Sequence, residues 1–522
     1  MKRRDFIRAG SIFTLPVILN GNKVSYFSRT IFDDIFDPSS DRVFVLVQQN
    51  GGNDGLNTFI PLDQYDNLAK VRSNILVPEN KVIRISNSNG FHPAMTGIKE
   101  LYDDGLLKIV QNVGYPNQNR SHFRSSDIWN SGSSADEVLA SGWMGRYLDM
   151  LHPGYPEGYP NGENPHPVAI TLGPTVSETC QGMAANFSLA ITDPNQLTQI
   201  PGSNNGNLPD LPYGWELNFL RQVIMQTNEY AESLIEASEK GTNLSPLYPE
   251  PGVNRLADQL KTVAQLISGG LKTRIFVVNL GGFDTHANQV SPGDPTIGAH
   301  TNLLNDLSYG ISAFIDDLKR QGLEKRVLGC TMSEFGRKII SNGSLGTDHG
   351  SAAPLLVFGS CVQAGILGNN PQIPDEVNPA AGVDMQFDFR DIFGSLFLDW
   401  MGAPFSSIQS IFSHDFKPLP LVTPCQTTVS VRDVVMKDHL FLKAYPNPFF
   451  ESFHIEFKST GGRSRISLFS QQGQEVSVIS DEYYSSGKHR LEYQTPDLSP
   501  GMYILKITGS RDQVQTQSLL HF

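Results

Sequence analysis

Apolar runs and helical stripes alternate along the first four-fifths of the chain. In "DRVFVLVQQNGGNDGLN", Val43 to Val47 are continuously apolar, which predicts a strand covered on both faces, and a polar glycine-rich loop follows at once. Met95, Ile98, Leu101 and Tyr102 recur at helical spacing, Gly105 ends that pattern, and "LLKIVQNVGY" predicts a second strand. Further on, "NRLADQLKTVAQLISGG" places Leu256, Leu260, Val263 and Ile267 on one helical face ahead of the strand "RIFVVNL". Then Leu304, Leu307, Ile311, Phe314, Ile315 and Leu318 make a stripe before the strand "RVLGCTM", and "DFRDIFGSLFLDWMG" predicts a helix ending at Gly402. Such alternation predicts a doubly wound α/β domain with a mostly parallel sheet over residues 41–413.

Two stretches break the pattern. Residues 151–252 are rich in Pro, Gly and Asn, as in "HPGYPEGYPNGENPHP", with a helix expected from Trp215 to Ala237; they read as an insertion capping the sheet. From residue 440 to 522, after a linker over 414–439, short alternating runs such as "SFHIEF", "SRISLFS", "HRLEYQ" and "GMYILKIT" lie between Gly, Ser and Pro turns, which predicts a small β-sandwich.

The totals exclude some partners. With 522 residues and a formal net charge of -13, the chain carries no broad positive field and no long Lys/Arg run, so nucleic acid is not expected as a partner. Four scattered cysteines form no C-x-x-C pair, and a disulfide is compatible with export. Residues 1–30 join a basic start to a short apolar stretch, Ile12 to Leu19, and read as an export signal; no transmembrane helix is expected. Arg3 and Arg4 followed by Asp5 and Phe6 resemble the twin-arginine signal, with Lys2 where Ser or Thr is usual, and an ordinary secretory signal is the alternative.

In open α/β sheets ligands bind beyond the carboxyl ends of the strands, so the residues following each apolar run carry the candidate chemistry. These are Asp54 after the first strand, Ser121 and His122 after the second, Asp284 and His286 after "RIFVVNL", Glu334 and Arg337 after "RVLGCTM", and the dipeptide Asp348 and His349 a few residues on. Carboxylate oxygen and imidazole nitrogen are ligands for a divalent ion of the zinc or manganese class. Asp54 suits a glycine-rich turn as well as a metal, and Ser121 suits a helix N-cap as well as a nucleophile supported by the helix N-terminus. Arg337 or Arg124 is a candidate for gripping a tetrahedral anion, Arg337 being otherwise the partner of Glu334 in a local ion pair.

The ordered motifs "GGNDGLN", "HPAM", "RSHFRSSDIW", "GWMGRYLD", "GGFDTHANQ", "SEFGR", "NGSLGTDHG" and "DFRDIFGSLFLDWMG" resemble the bacterial family known as domain of unknown function 1501, which is grouped with the alkaline phosphatase and sulfatase superfamily. That resemblance implies a metal-dependent hydrolase of phosphate or sulfate-type esters, acting on an anionic small molecule or glycan. It assigns Asp54, Asp284, His286, Asp348 and His349 to one or two divalent ions and Ser121 to nucleophilic attack, leaving His122 as a further ligand or an acid/base group. Only Thr285 separates Asp284 from His286, where the superfamily has three residues, and His414 is the sole late histidine of the domain. Neither C-x-P-x-R nor S-x-P-x-R occurs, so a formylglycine sulfatase is not expected. Because fold does not fix function, a non-catalytic surface binding or scaffold protein is the alternative. At the C-terminus, "YPNPF", "LFSQQGQEV" and "LSPGMYILKI" resemble the type IX secretion sorting domain of Bacteroidetes, which implies contact with that machinery, passage through the periplasm, and arrival at the outer-membrane surface or outside the cell.

Overall fold

The computed structural model describes residues 17–19, 22–24, 40–194, 228–423, 441–447, 449–470, 474–494, 498–509 and 514–521. The expected export signal lies outside them apart from a short strand pair, Val17–Leu19 with Asn22–Val24. The start of the helix expected from Trp215 and most of the 414–439 linker also lie outside. The chain divides into two units, Met1–Thr427 and Thr428–Phe522.

In the first unit the elements that position the site are β1 (Val43–Asn50), α1 (Thr96–Asp103), β2 (Leu107–Gly114), α2 (His122–Ser131), β3 (Ala169–Leu172), β4 (Ser188–Ile191), α3 (Arg255–Ser268), β5 (Ile275–Gly281), α4 (Ala299–Arg320), β6 (Val327–Met332), β7 (Arg337–Ser341), β8 (Thr347–His349), β9 (Ala353–Phe358), β10 (Gly365–Leu367), β11 (Phe387–Asp388) and α5 (Phe389–Asp399). One nine-stranded sheet runs β10-β2-β9-β6-β1-β5-β3-β4, with β11 also on β2. Strand β9 pairs antiparallel with both its neighbours while the other pairings are parallel, so every strand except β9 points the same way.

The period of a strand sorts its side chains onto two cores. Phe44 and Leu46 of β1 join Ile128 and Trp129 of α2 and Phe389, Ile392, Phe393 and Leu396 of α5. Val43, Val45 and Val47 face the other way, against Ile98 of α1, Leu260 and Val263 of α3, and Leu307, Ile311 and Phe314 of α4. Helices therefore cover both faces, and the domain is doubly wound α/β with a mostly parallel sheet. Capping is local: Asn254 accepts from the Ala257 N–H at the start of α3, and Gly105, at φ 72°, supplies the left-handed residue after α1.

Part of the 151–252 stretch, expected as a cap, lies outside the described residues. Its described residues supply β3 and β4, which extend the main sheet beyond β5, and a helix over 228–240. Both strands are only four residues long, too short for their alternation to stand out among the surrounding Pro and Gly. Cys180 and Cys330 are buried free thiols, whereas Cys361 is disulfide-bonded, a state that suits an oxidising compartment. Among the described residues, no helix is long and apolar enough to cross a membrane.

The second unit is an antiparallel five-stranded arrangement of β12 (Phe441–Tyr445), β13 (Ser452–Ser470), β14 (Glu475–Gln494), β15 (Gly501–Thr508) and β16 (Val514–His521). The runs "SFHIEF" and "SRISLFS", expected as separate strands, are the two halves of β13. The first half pairs with β12 and the second with β15, so one strand serves both sides of the core. Gly461 and Gly462, at φ 89° and 129°, allow the bend between them. Across that pair the buried positions shift from Phe453, Ile455 and Phe457 to Ile466 and Leu468, a change from odd to even register.

Candidate metal centre

The carboxyl ends of β1, β2, β5 and β6 lie at one edge of the sheet, and the loops that follow them meet there. Gly51, at φ 121°, lies so close to the β5 loop that a Cβ would stand 2.3 Å from the Asp284 nitrogen. Its N–H donates to Glu334 Oε1 at 2.8 Å, joining the β1 loop to the β6 loop. Arg337 opens β7 with its side chain buried. Its Nε donates to Gly52 O at 2.7 Å, Nη1 to Thr347 O at 2.9 Å, and Nη2 to Phe283 O at 2.9 Å, to Asp284 Oδ1 at 2.8 Å and to Gly51 O.

Three imidazoles surround that Asp284 oxygen. The Nε2 atoms of His286, His122 and His349 stand 3.2, 3.3 and 3.4 Å from Asp284 Oδ1, and those of His286 and His349 are 2.8 Å apart. Each ring is held from behind through Nδ1 by an oxygen. His122 Nδ1 meets Glu334 Oε1 at 2.9 Å, His349 Nδ1 meets Arg120 O at 2.6 Å, and His286 Nδ1 meets Asp348 Oδ1 at 3.2 Å. A carbonyl or an ionised carboxylate only accepts, so each neutral ring carries its proton on Nδ1. Three Nε2 lone pairs and a carboxylate oxygen are then directed at one small volume with no proton to place between them. His122 Nε2 is buried without a hydrogen-bond partner.

Imidazole nitrogens and a carboxylate oxygen are donors that a divalent cation of the zinc class takes. Ligand atoms around a tetrahedral zinc-class ion stand roughly 3.3 Å apart, close to the distances of the three rings from Asp284 Oδ1, and ligating histidines commonly donate their other ring nitrogen to a carboxylate or carbonyl. Ligand atoms of His122, Asp284 and His349 all lie within 4.8 Å of one another.

Burial and neighbouring groups shift the carboxylates and His349. Burial alone would raise Asp284, but the hydrogen bond and charge of Arg337, with smaller contributions from the neighbouring His122 and His286, hold it down to about 2. For Asp348, the rise caused by burial is outweighed by hydrogen bonds from Lys338, Asn342 and His286, and its value is lowered. His349 is lowered by burial and by the neighbouring His122, Arg337 and His286. Asp284 remains 49% exposed, so the centre is open to solvent on one side.

Of the residues expected at the site, His122, Asp284, His286 and His349 converge. Asp348 and His349 do not converge on one point. They are neighbours on strand β8, where successive side chains leave on opposite faces, so His349 joins the cluster while Asp348 holds His286 from outside and meets Lys338 Nζ at 3.2 Å. Asp54 sits elsewhere. It is 1% exposed and paired with Arg72 at 2.8 and 3.2 Å, and burial, which would raise its value, is outweighed by the Arg72 charge, leaving it lowered. Arg337 is not free to grip an anion, because its N–H groups are committed to four backbone carbonyls and Asp284. Glu334 pairs with His122 rather than with Arg337. Ser121 is exposed at the N-cap of α2, between the Arg120 carbonyl and His122, and its hydroxyl makes no capping bond. His414 pairs with Asp391 at 3.1 Å, away from the cluster. Sequence reading missed the Arg120 carbonyl, since a backbone acceptor carries no residue-type signal.

The model of the family described as "Protein of unknown function (DUF1501)" matches residues 108–392, a span that contains His122, Asp284, His286 and His349 and leaves Asp54 outside. That of the "Secretion system C-terminal sorting domain" matches residues 443–520, which marks the chain for export to the cell surface or beyond and implies contact with the type IX machinery. No curated protein matches. Among solved structures, Ps i-CgsB in complex with k-i-k-neocarrahexaose is 10% identical over 80% of this chain and 83% of that one, with a TM-score of 0.33. A protein in the alkaline phosphatase superfamily from Vibrio parahaemolyticus is 9% identical over 85% of this chain and 83% of that one, with a TM-score of 0.31. The chain spans 16% of the length of β-glucosidase from Listeria innocua, at 12% identity and a TM-score of 0.13.

Proposed function

This chain belongs to the DUF1501 family, and from that premise we propose that it is an exported metal-dependent hydrolase of phosphate or sulfate-type esters or related anionic groups. The observation that carries the reading is the convergence of His122, His286 and His349 Nε2 on Asp284 Oδ1, each ring anchored through Nδ1. His122, Asp284, His286 and His349 would hold one divalent ion of the zinc or manganese class. Such an ion would act as a Lewis acid toward an anionic ester oxygen.

The chain's own groups supply the rest. Arg337 fixes Asp284, and Glu334, Asp348 and the Arg120 carbonyl fix the rings, so the site is organised before substrate arrives. Ser121, exposed at the start of a ten-residue helix and adjacent to a ligand, offers a hydroxyl where the helix N-terminus stabilises developing negative charge. Lys338, whose Nζ lies beside Asp348, contributes positive charge near the incoming anion.

A second reading is a metal-holding surface protein without turnover. It is favoured by the sequestration of Asp54 by Arg72 and of Arg337 by backbone carbonyls, which leaves a second ion and an anion clamp without their expected residues. A screen of phosphomonoesters, phosphodiesters and sulfated glycans against the zinc- and manganese-supplemented full chain separates the two. Hydrolysis abolished by chelator and reduced at least about 100-fold in Ser121→Ala supports the enzyme. Tight metal binding with no hydrolysis of any class supports the second reading.

A further inference from the structure

Behind the cluster lies a buried polar chain that the chemistry above leaves unused. Gln289 has no exposed surface, and its side-chain amide meets three groups. Its Oε1 accepts from Thr285 Oγ1 at 3.1 Å and from Thr347 Oγ1 at 2.8 Å, while its Nε2 donates to Asp54 Oδ2 at 2.6 Å. The orientation follows from the partners: an ionised carboxylate only accepts, so the nitrogen faces Asp54 and the oxygen faces the two hydroxyls. Asp54 is fixed in turn by the fork of Arg72.

The two threonines occupy telling positions. Thr285 stands between Asp284 and His286, and Thr347 directly precedes Asp348 and His349. Their backbones are already joined, Thr347 N–H to Thr285 O at 3.1 Å, and Gln289 N–H reaches Leu345 O at 2.9 Å. Asp54, Arg72, Thr285, Gln289 and Thr347 are all buried. Apolar groups of similar volume would fill this space without the desolvation that five polar side chains incur. What the polar version adds is direction, because each bond fixes an angle as well as a distance.

We propose that Gln289 is a positioning residue, a two-armed brace that sets the spacing between the Asp284–His286 segment and the Asp348–His349 segment. The inference rests on the reading of the cluster as a metal centre. Without the brace the two segments keep their backbone link but lose the restraint that brings His286 and His349 to 2.8 Å.

The test is the zinc affinity of the full chain, measured by competition with a chromogenic chelator, for wild type, Thr285→Val, Thr347→Val, the Ser variant at each position, and Gln289→Met. The Val variants keep shape and lose the hydroxyl; the Ser variants keep the hydroxyl. Each Val variant and Gln289→Met should bind zinc about 10- to 100-fold more weakly, and each Ser variant should stay within about twofold of wild type. Thermal unfolding in chelator identifies the folded variants, and the threonine pair carries the test should Gln289→Met fail to fold. Folded Val variants with wild-type affinity overturn the brace and leave the metal centre standing. A wild-type chain that binds no zinc overturns both.

Discussion

Asp284 Oδ1 accepts from Arg337 and stands within 3.4 Å of three imidazole nitrogens, whereas Asp54 spends both its oxygens on Arg72 and Gln289. Both aspartates follow strands at the same sheet edge and both meet a buried arginine, but Arg72 and Gln289 enclose the buried Asp54 on both oxygens, whereas Arg337 leaves Asp284 half exposed beside the imidazoles. Asp54→Asn removes one member of a buried pair and should cost about 3–5 kcal/mol in urea unfolding at neutral pH. The folded value of Asp54 lies below its ordinary 3.8, so its contribution is full above that pH and fades as pH falls through the lowered folded value. The stability gap between wild type and Asp54→Asn should therefore narrow in acid below that range; a gap that widens there contradicts the assignment. Residue type and position after a strand were enough to single out Asp284, His286 and His349. They could not separate Asp54 from them, because its partner Arg72 lies in a helix whose pattern points to nothing at the sheet edge.

At the scale of elements, the centre depends on loops in backbone contact. Gly51, at φ 121°, leaves no room for a Cβ, which would meet Asp284 N at 2.3 Å and Phe283 C at 2.7 Å. Gly154, at φ 89°, has nothing within 4 Å. Both Ala variants should lose roughly 1–3 kcal/mol from backbone strain, but only Gly51→Ala should also weaken zinc binding, by at least about 10-fold. Equal zinc affinity in the two variants would contradict the contact. The alternation of β1, α1, β2 and of α3, β5, α4, β6 was legible because each buries a full face; β3 and β4 were not, being four residues long, and β13 was read as two strands because its glycine pair looks like a turn. The antiparallel run of β9 was equally invisible, since a buried strand carries the same apolar sequence in either direction.

For the molecule as a whole, an α/β unit with a pre-set donor cluster is followed in the chain by a separate sorting unit that marks it for export, and the disulfide-bonded Cys361 suits an oxidising compartment. Elemental analysis of the purified, extensively dialysed full chain should find about one divalent ion per molecule in wild type and almost none in His122→Ala, whose fold is checked by circular dichroism. A wild-type chain without bound metal after zinc and manganese loading, or a His122→Ala chain that retains it fully, would contradict the account.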